Sequence, residues 1–261
     1  MRIQLSFRKS ITENAQAYFE KAKKAKKKLE GATKALAHWT EEKKKQESNV
    51  ASEKASSQQK NQKIALPSRW YHKFRWFKTS DGFLVIGGRD ATTNEIVIKK
   101  HTQEDDLVFH TDMAGSPFFV IQAEGKKITP LALRETADAT CTFSRAFQLG
   151  LSTQSVFYVK PSQVTKEAQQ GEYLTKGAFM IRGKTNYIDN TINLAIGITA
   201  EGEVMAGPSS AVASHCKKVV RLRQGKEKVS AIAKKIAYHL TYTDLDALIR
   251  ALPAGTFDII K

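Results

Sequence analysis

Residues 106–122 read DLVFHTDMAGSPFFVIQ: two short apolar runs, DLVFHT and PFFVIQ, on either side of a turn that contains Gly115. Aromatic and β-branched residues bounded by Gly, Pro and Asp predict a pair of strands. Working outward, FLVIGG (83–88) and EIVIKK (95–100) flank the polar stretch RDATTN and predict a hairpin. Downstream, QSVFYVK (154–160), FMIRGK (179–184), TINLAIGI (191–198), EVMAG (203–207) and KVVRLR (218–223) continue the strand pattern. Helical signals lie between them. Thr129 as a cap, with Pro130 at the first helical position, predicts a helix running to about Gly150. A short helix is expected after Pro208, a longer one over 226–240 with Val229, Ile232, Ala233, Ile236 and Leu240 on one face, and a last one near 243–251. LPSRWYHKFRWF (66–77) predicts an amphipathic helix, with Trp70, Phe74 and Phe77 toward a sheet and Lys73 and Arg75 on the other face. Together these elements predict an α+β fold, a mixed β-sheet with packed helices. Parallel βαβ alternation and repeats of roughly 20–50 residues are absent.

Upstream the pattern changes. From Ile11 the positions Ile11, Ala15, Tyr18, Ala22, Ala25, Leu29, Ala32, Leu36 and Trp39 step by alternate fours and threes, the spacing of a coiled coil. Lysines 21, 23, 24, 26, 27 and 28 sit between them. Much of the seam is alanine, so this helix buries little and calls for a second helix beside it. Residues 46–52 are expected to turn and the polar stretch after them to return as a weak second arm. The predicted division is a lysine-rich coiled-coil arm over 1–65 and an α+β body over 66–261.

Charge narrows the function. The 261 residues hold 42 Lys and Arg against 26 Asp and Glu, a net of +16. The arm, with 16 against 7, carries +9, and the body, with 26 against 19, carries +7. Such a chain attracts polyanions, RNA or DNA first. No stretch reaches the roughly 18 apolar residues of a membrane helix, and no membrane partner is expected. Met1–Ser10 lacks a secretory signal, and Cys141 and Cys216 alone make neither a disulfide scaffold nor a four-cysteine zinc site, so a cytoplasmic setting is expected.

The search for chemistry is mostly negative. GxxxxGK[ST] and GxGxxG are missing, so no nucleotide cofactor is expected. His110 and Asp112 could ligate a metal from one strand face, but no His/Cys pair stands at metal spacing and no metal is expected. Ser144 has no nucleophile elbow around it, and Cys141 reads as a small buried hydrophobe. The stretch KPSQVTKEAQQGEYLTKGAFMIRGK (160–184) is the informative one. It presents Lys160, Lys166, Lys176, Arg182 and Lys184 against Glu167 and Glu172, with Tyr173, Phe179 and Tyr187 interleaved. Cations on loops beside aromatics suit a ribose-phosphate backbone with splayed bases.

The runs RWYHKFRWFKTSDGFLVIGGRDATTNE, DLVFHTDMAGSPFFVIQ, SRAF and YVKPSQVTKEAQQGEYLTKGAFMIRGK together resemble the RNA-binding NFACT-R domain of the NFACT family, the NEMF/RqcH-like ribosome quality-control factors. GPSSAV and the basic helix after it resemble archaeal-type members, and ENAQAYFEKAKKAKKKLEGA the start of the family's coiled-coil arm. The resemblance implies an RNA-binding component, not an enzyme, that binds tRNA and ribosomal RNA on large ribosomal subunits carrying stalled nascent chains. The family's N-terminal NFACT domain has no counterpart here, so a fragment, a split-gene product or a stand-alone protein is expected, with a separate polypeptide supplying that domain as a further partner. Phe147 stands where members often have Trp.

The residues expected to carry RNA contact are Arg75, on the polar face of the aromatic helix; Arg89, at a hairpin end after Gly88; and Lys166, Lys176, Arg182 and Lys184, in the basic loop and the strand after it. The rival for Arg89 and Arg182 is internal pairing with Asp90 or Asp112. Two other classes compete: an RNA-processing or RNA-modifying enzyme using His110, Asp112 and Arg145, and a scaffold whose arm binds proteins.

If the seam contributes nothing to the sheet core, a chain lacking residues 1–65 folds by itself. Circular dichroism and thermal melting of that truncation should show a cooperative α+β body, with weakened ribosome association; an unfolded body would place the boundary elsewhere.

Overall fold

The computed structural model describes residues 4–7, 10–57, 69–167 and 174–260. Contacts divide the chain into two compact units, Met1–Ile64 and Ala65–Lys261.

The first unit is built on one helix, α1 (Ile11–Ser57), 47 residues long and therefore about 70 Å at 1.5 Å per residue. Its start is a reciprocal cap: Ser10 N–H donates to Glu13 Oε2 at 2.8 Å and Glu13 N–H to Ser10 Oγ at 3.3 Å. Ile11, Leu29, Leu36 and Trp39 on the seam are exposed. The helix runs straight through 46–52, where a turn was expected. Nothing in QESNVAS forbids helix, since it holds neither Pro nor Gly, and polarity by itself does not break one. The expected return arm lies, beyond Ser57, outside the described residues.

The second unit holds three sheets. The largest has the order β1-β2-β4-β3-β5-β8, from β1 (Arg75–Lys78), β2 (Leu84–Gly87), β3 (Leu107–Thr111), β4 (Phe119–Ile121), β5 (Val156–Val159) and β8 (Asn186–Ile188). A four-stranded sheet runs β10-β9-β11-β12, from β9 (Leu194–Thr199), β10 (Val204–Gly207), β11 (Cys216–Lys228) and β12 (Thr256–Ile260). β6 (Val164–Thr165) and β7 (Met180–Ile181) make a small third ladder. The α+β class with helices on sheets is what the structure shows, and every ladder among the described residues is antiparallel. One apolar core joins the two larger sheets. Phe77 of β1 is fully buried and lies so close to Gly207 of β10 that a Cβ there would come within 3.0 Å of its ring. Buried Glu135 of α3 (Pro130–Thr142) ties the layers together, accepting from Ser80 N–H at 2.7 Å and from the Ser210 hydroxyl of α5 (Ser209–His215) at 2.7 Å.

Three local expectations are corrected. EIVIKK is not a strand but the body of α2 (Ala91–Lys100). Asp90 caps it, its carboxylate accepting from Thr93 N–H at 2.8 Å while Thr93 Oγ1 accepts from Asp90 N–H at 2.9 Å, and only Val97 is fully covered. The cap and that one buried contact override the β-branched composition. The aromatic segment is a short 3-10 turn, Trp70–Lys73, followed by strand β1; Phe74 turns extended (φ −103°, ψ 175°) and Arg75 pairs with Gly87 across the ladder. The helix from Pro130 ends at Thr142, and Ser144 caps a separate short α4 (Arg145–Gln148). α6 (Val229–Leu240) and α7 (Leu245–Ala251) stand where expected, while β8 and β12 have no counterpart in the sequence reading.

Phe77→Ala should lower stability by about 3–5 kcal/mol, since it empties a filled site between the sheets. Urea unfolding of the full chain checks this. A loss within the ~0.5 kcal/mol typical of surface changes would mean the sheets do not share one core.

Candidate functional site

α2 begins beside β4 because Gly88 leaves room. A Cβ there would stand 1.9 Å from Asn94 Oδ1 and 2.8 Å from Asn94 N. That amide oxygen accepts from Phe118 N–H at 3.2 Å, fixing the helix start to the entry of β4. On the other side Gly177, at φ +81°, comes so close that a Cβ would lie 2.5 Å from Ala91 Cα. Its N–H donates to Glu95 Oε1 at 3.0 Å. Lys166 Nζ reaches the same carboxylate at 2.7 Å and lies 4.8 Å from the centre of the Phe179 ring. Lys166 and Gly177 hold the Glu95 carboxyl well below the usual range, at about 2.

Between these elements opens a cleft of about 600 Å³. Its lining carries four cations, Arg75, Arg89, Arg145 and Lys176, and four rings, His110, Phe118, Phe143 and Phe179. Arg75 Nη1 donates to the Leu252 carbonyl at 2.9 Å, and its guanidinium lies over the Phe143 ring, 4.8 Å from the centroid. Burial, with the neighbouring Arg89, lowers its pKa to about 10, so it keeps its charge at neutral pH. Arg89 Nη2 donates to the carbonyls of His72 and Phe74 at 3.1 and 2.8 Å, while its buried Nε has no hydrogen-bond partner among the described residues. Its pKa too is pushed down, by burial and then by Arg250. The carboxylate on the cleft wall is Asp90, already engaged as the cap of α2. Among the described residues none of the four cations forms an ion pair.

The structure thus brings together Arg75, Arg89 and Lys176 of the six expected contact residues. Arg75 arrives from a strand rather than a helix face, and Arg89 stands before a helix rather than in a hairpin; its anchors are carbonyls, not Asp90 or Asp112. Lys166 is spent on Glu95. Arg182 pairs with Glu167 at 3.3 Å on the surface, an arrangement worth little. Lys184 is exposed and outside the cleft, its carbonyl accepting from Gln163 Nε2 at 2.9 Å. Arg145 was weighed only as a catalytic suspect; its place directly after the Ser144 cap was the signal that it stands at a helix start. Of its two companions His110 lines the cleft, stacked on Phe118 at 4.2 Å, and Asp112 does not, accepting instead from Tyr187 Oη at 3.3 Å. Burial raises the Cys141 thiol to about 12, leaving it unreactive. A second cationic surface escaped the sequence reading: Lys217, Arg221, Arg223, Lys226 and Lys228 project from one long strand, β11, and all are exposed. Among the described residues no helix is long and apolar enough to cross a membrane, and no group of His, Cys, Asp and Glu is placed to hold a metal ion.

Residues 73–183 match the family model described as NFACT protein RNA binding domain. The chain is 41% identical over 215 residues to the archaeal Rqc2 homolog aRqcH of Methanocaldococcus jannaschii, covering 80% of this chain and 32% of that protein. It is 37% identical over 180 residues to the human ribosome quality control complex subunit NEMF, covering 67% of this chain and 16% of that one. The Drosophila melanogaster NEMF homolog is 38% identical over 131 residues, 50% of this chain and 13% of its own length. The chain therefore spans about a third or less of these relatives. The cleft lining except Ala254 lies inside the matched segment, as do all the expected contact residues except Lys184.

The Glu95 carboxylate ties the 174–178 loop to α2. Its pKa in the folded protein is depressed, so its stabilising effect is complete above the ordinary value of 4.5 and is lost as pH falls toward about 2. The protection factor of the Gly177 amide, its exchange rate taken relative to the intrinsic rate at each pH, should therefore fall across that window, and Glu95→Gln should show the low protection already at neutral pH. Unchanged protection in the variant would remove Glu95 as the anchor.

Proposed function

The chain carries an NFACT RNA-binding domain, homologous over part of its length to ribosome quality-control subunits, and on that premise we propose that it binds tRNA and ribosomal RNA on large ribosomal subunits that hold stalled nascent chains. The observation that carries this reading is the cleft within residues 73–183, where four cations converge and the one carboxylate is engaged elsewhere. Phosphate is the commonest anion such a wall meets in RNA, and arginine is the side chain best suited to it. The relatives are named as ribosome quality control proteins, which gives the RNA a setting. In this reading Lys176, Lys184 and Arg182 hold the backbone outside and at the rim of the cleft, and Arg75 and Arg89 form its floor. The arm, residues 1–65, adds +9 of charge and reach, while 66–261 makes the specific contacts.

Equilibrium binding of the full chain to tRNA should weaken steeply with salt, with a log–log slope of about −0.7 to −0.9 for each phosphate neutralised. Lys176→Glu combined with Lys184→Glu should reduce affinity and flatten the slope at unchanged melting temperature, since neither side chain forms an ion pair among the described residues. Lys166 is unsuited to this test because its reversal would repel Glu95. Binding that ignores salt, or a double variant that binds as before, would sink the assignment.

A further inference from the structure

A cation removed from water is costly unless something negative or strongly dipolar faces it. Arg75 and Arg89 line the same cleft, each tied by only part of its fork to backbone carbonyls. Arg75 is also covered by the Phe143 ring. Arg89 keeps a buried Nε–H without a partner. Arg145 and Lys176 stand on the same wall, and Asp90 is held by Thr93. Asp90, whose charge acts on Arg89 and Lys176, is the one carboxylate in the lining against four cations, so the cleft is left net cationic. A lone carboxylate would leave several of these cations unmatched; a phosphate, with more oxygens and charge, suits the set better. The volume decides how much comes with the phosphate. About 600 Å³ exceeds what a bare ion needs and falls within the roughly 300–1,000 Å³ of sites that enclose a small molecule. The lining also offers the half-buried rings of His110 and Phe179, surfaces that accept a base and a ribose.

We propose that this cleft seats a single unpaired nucleotide of the bound RNA, its phosphate on Arg75, Arg89, Arg145 and Lys176 and its base along the His110–Phe179 side. The inference rests on the RNA-binding reading and adds to it a discrete subsite with defined chemistry. It requires that the nucleotide leave its stack, so RNA with an unpaired position is preferred over uniform duplex.

The test uses the full chain and three small probes: adenosine 5′-monophosphate, adenosine and inorganic phosphate, followed by calorimetry and by amide shifts at Gly88 and Gly177. The monophosphate should bind, shift both amides and compete with an unpaired RNA oligomer; adenosine should bind at least about tenfold more weakly for want of the charge-assisted contacts, and inorganic phosphate at least about tenfold more weakly for want of base stacking. Arg145→Ala with Lys176→Ala, two exposed positions that spare the buried Arg75, should weaken the monophosphate by about tenfold or more. Lys234→Glu, exposed on α6 and outside the cleft, should leave it unchanged. No monophosphate binding, binding indifferent to the cleft double variant, or inorganic phosphate binding as tightly as the nucleotide would each overturn the subsite. If tRNA still binds with a steep salt slope in those cases, RNA binding stands and only the nucleotide seat fails. If the monophosphate binds in the cleft but no RNA does, the site belongs to a free nucleotide and both the RNA seat and the RNA-binding reading fall.

Discussion

Two guanidinium groups share one sheltered wall, and much of the body is arranged around that constraint. Arg75 enters from the first strand and Arg89 from the start of α2. Carbonyls of Leu252, His72 and Phe74, from two distant parts of the chain, accept from them. Like charges so placed repel, and burial adds to the cost; both effects show in the lowered pKa of Arg75. The carbonyls offset only part of it, because each is a dipole and neither guanidinium meets a carboxylate. An arrangement this expensive persists where an anion completes it.

The neighbouring elements keep that wall open. Gly88 and Gly177 let α2 approach β4 and the 174–178 loop more closely than any side chain would allow. Glu95 then gathers Lys166 and Gly177 on α2. One acidic side chain so placed anchors the loop, and Lys176, next to Gly177, is carried to the cleft as a consequence. Phe77 and Gly207 supply the close packing between sheets on which both walls stand.

The sequence showed the α+β class, the β3–β4 pair and the basic loop, because alternating apolar runs and charge clusters are local signals. It misread EIVIKK, since Ile96 and Ile98 alternate as strand residues do while the deciding feature, the Asp90–Thr93 cap, lies just upstream. It placed Arg75 on a helix face because Trp70, Phe74 and Phe77 fit helical spacing; the pairing of Arg75 with Gly87 is non-local and leaves no trace in that spacing. Lys166 looked free for RNA because Glu95, its partner, is distant in the chain. Arg89 and Lys176 were chosen on charge and flexibility, yet what joins them is a cleft that exists only once α2 has formed. The residues were legible; the convergence was not.

That the wall is built of arginine rather than lysine follows from the same burial. An ordinary lysine begins near a pKa of about 10.4, and a downward push of the size Arg75 undergoes would carry it toward neutrality. Arginine begins well above that and still holds its proton at about 10. A sheltered site that must stay cationic therefore needs guanidinium groups where water is scarce, and can use ammonium groups where water is plentiful. The two half-buried cations of the cleft, Arg75 and Arg89, are both arginine, while its exposed ones, Arg145 and Lys176, are of both kinds. The two populations suit different tasks. Solvated lysines attract a phosphate backbone from a distance and are screened by salt, whereas a sheltered arginine pair is screened little and acts only on a group that reaches it.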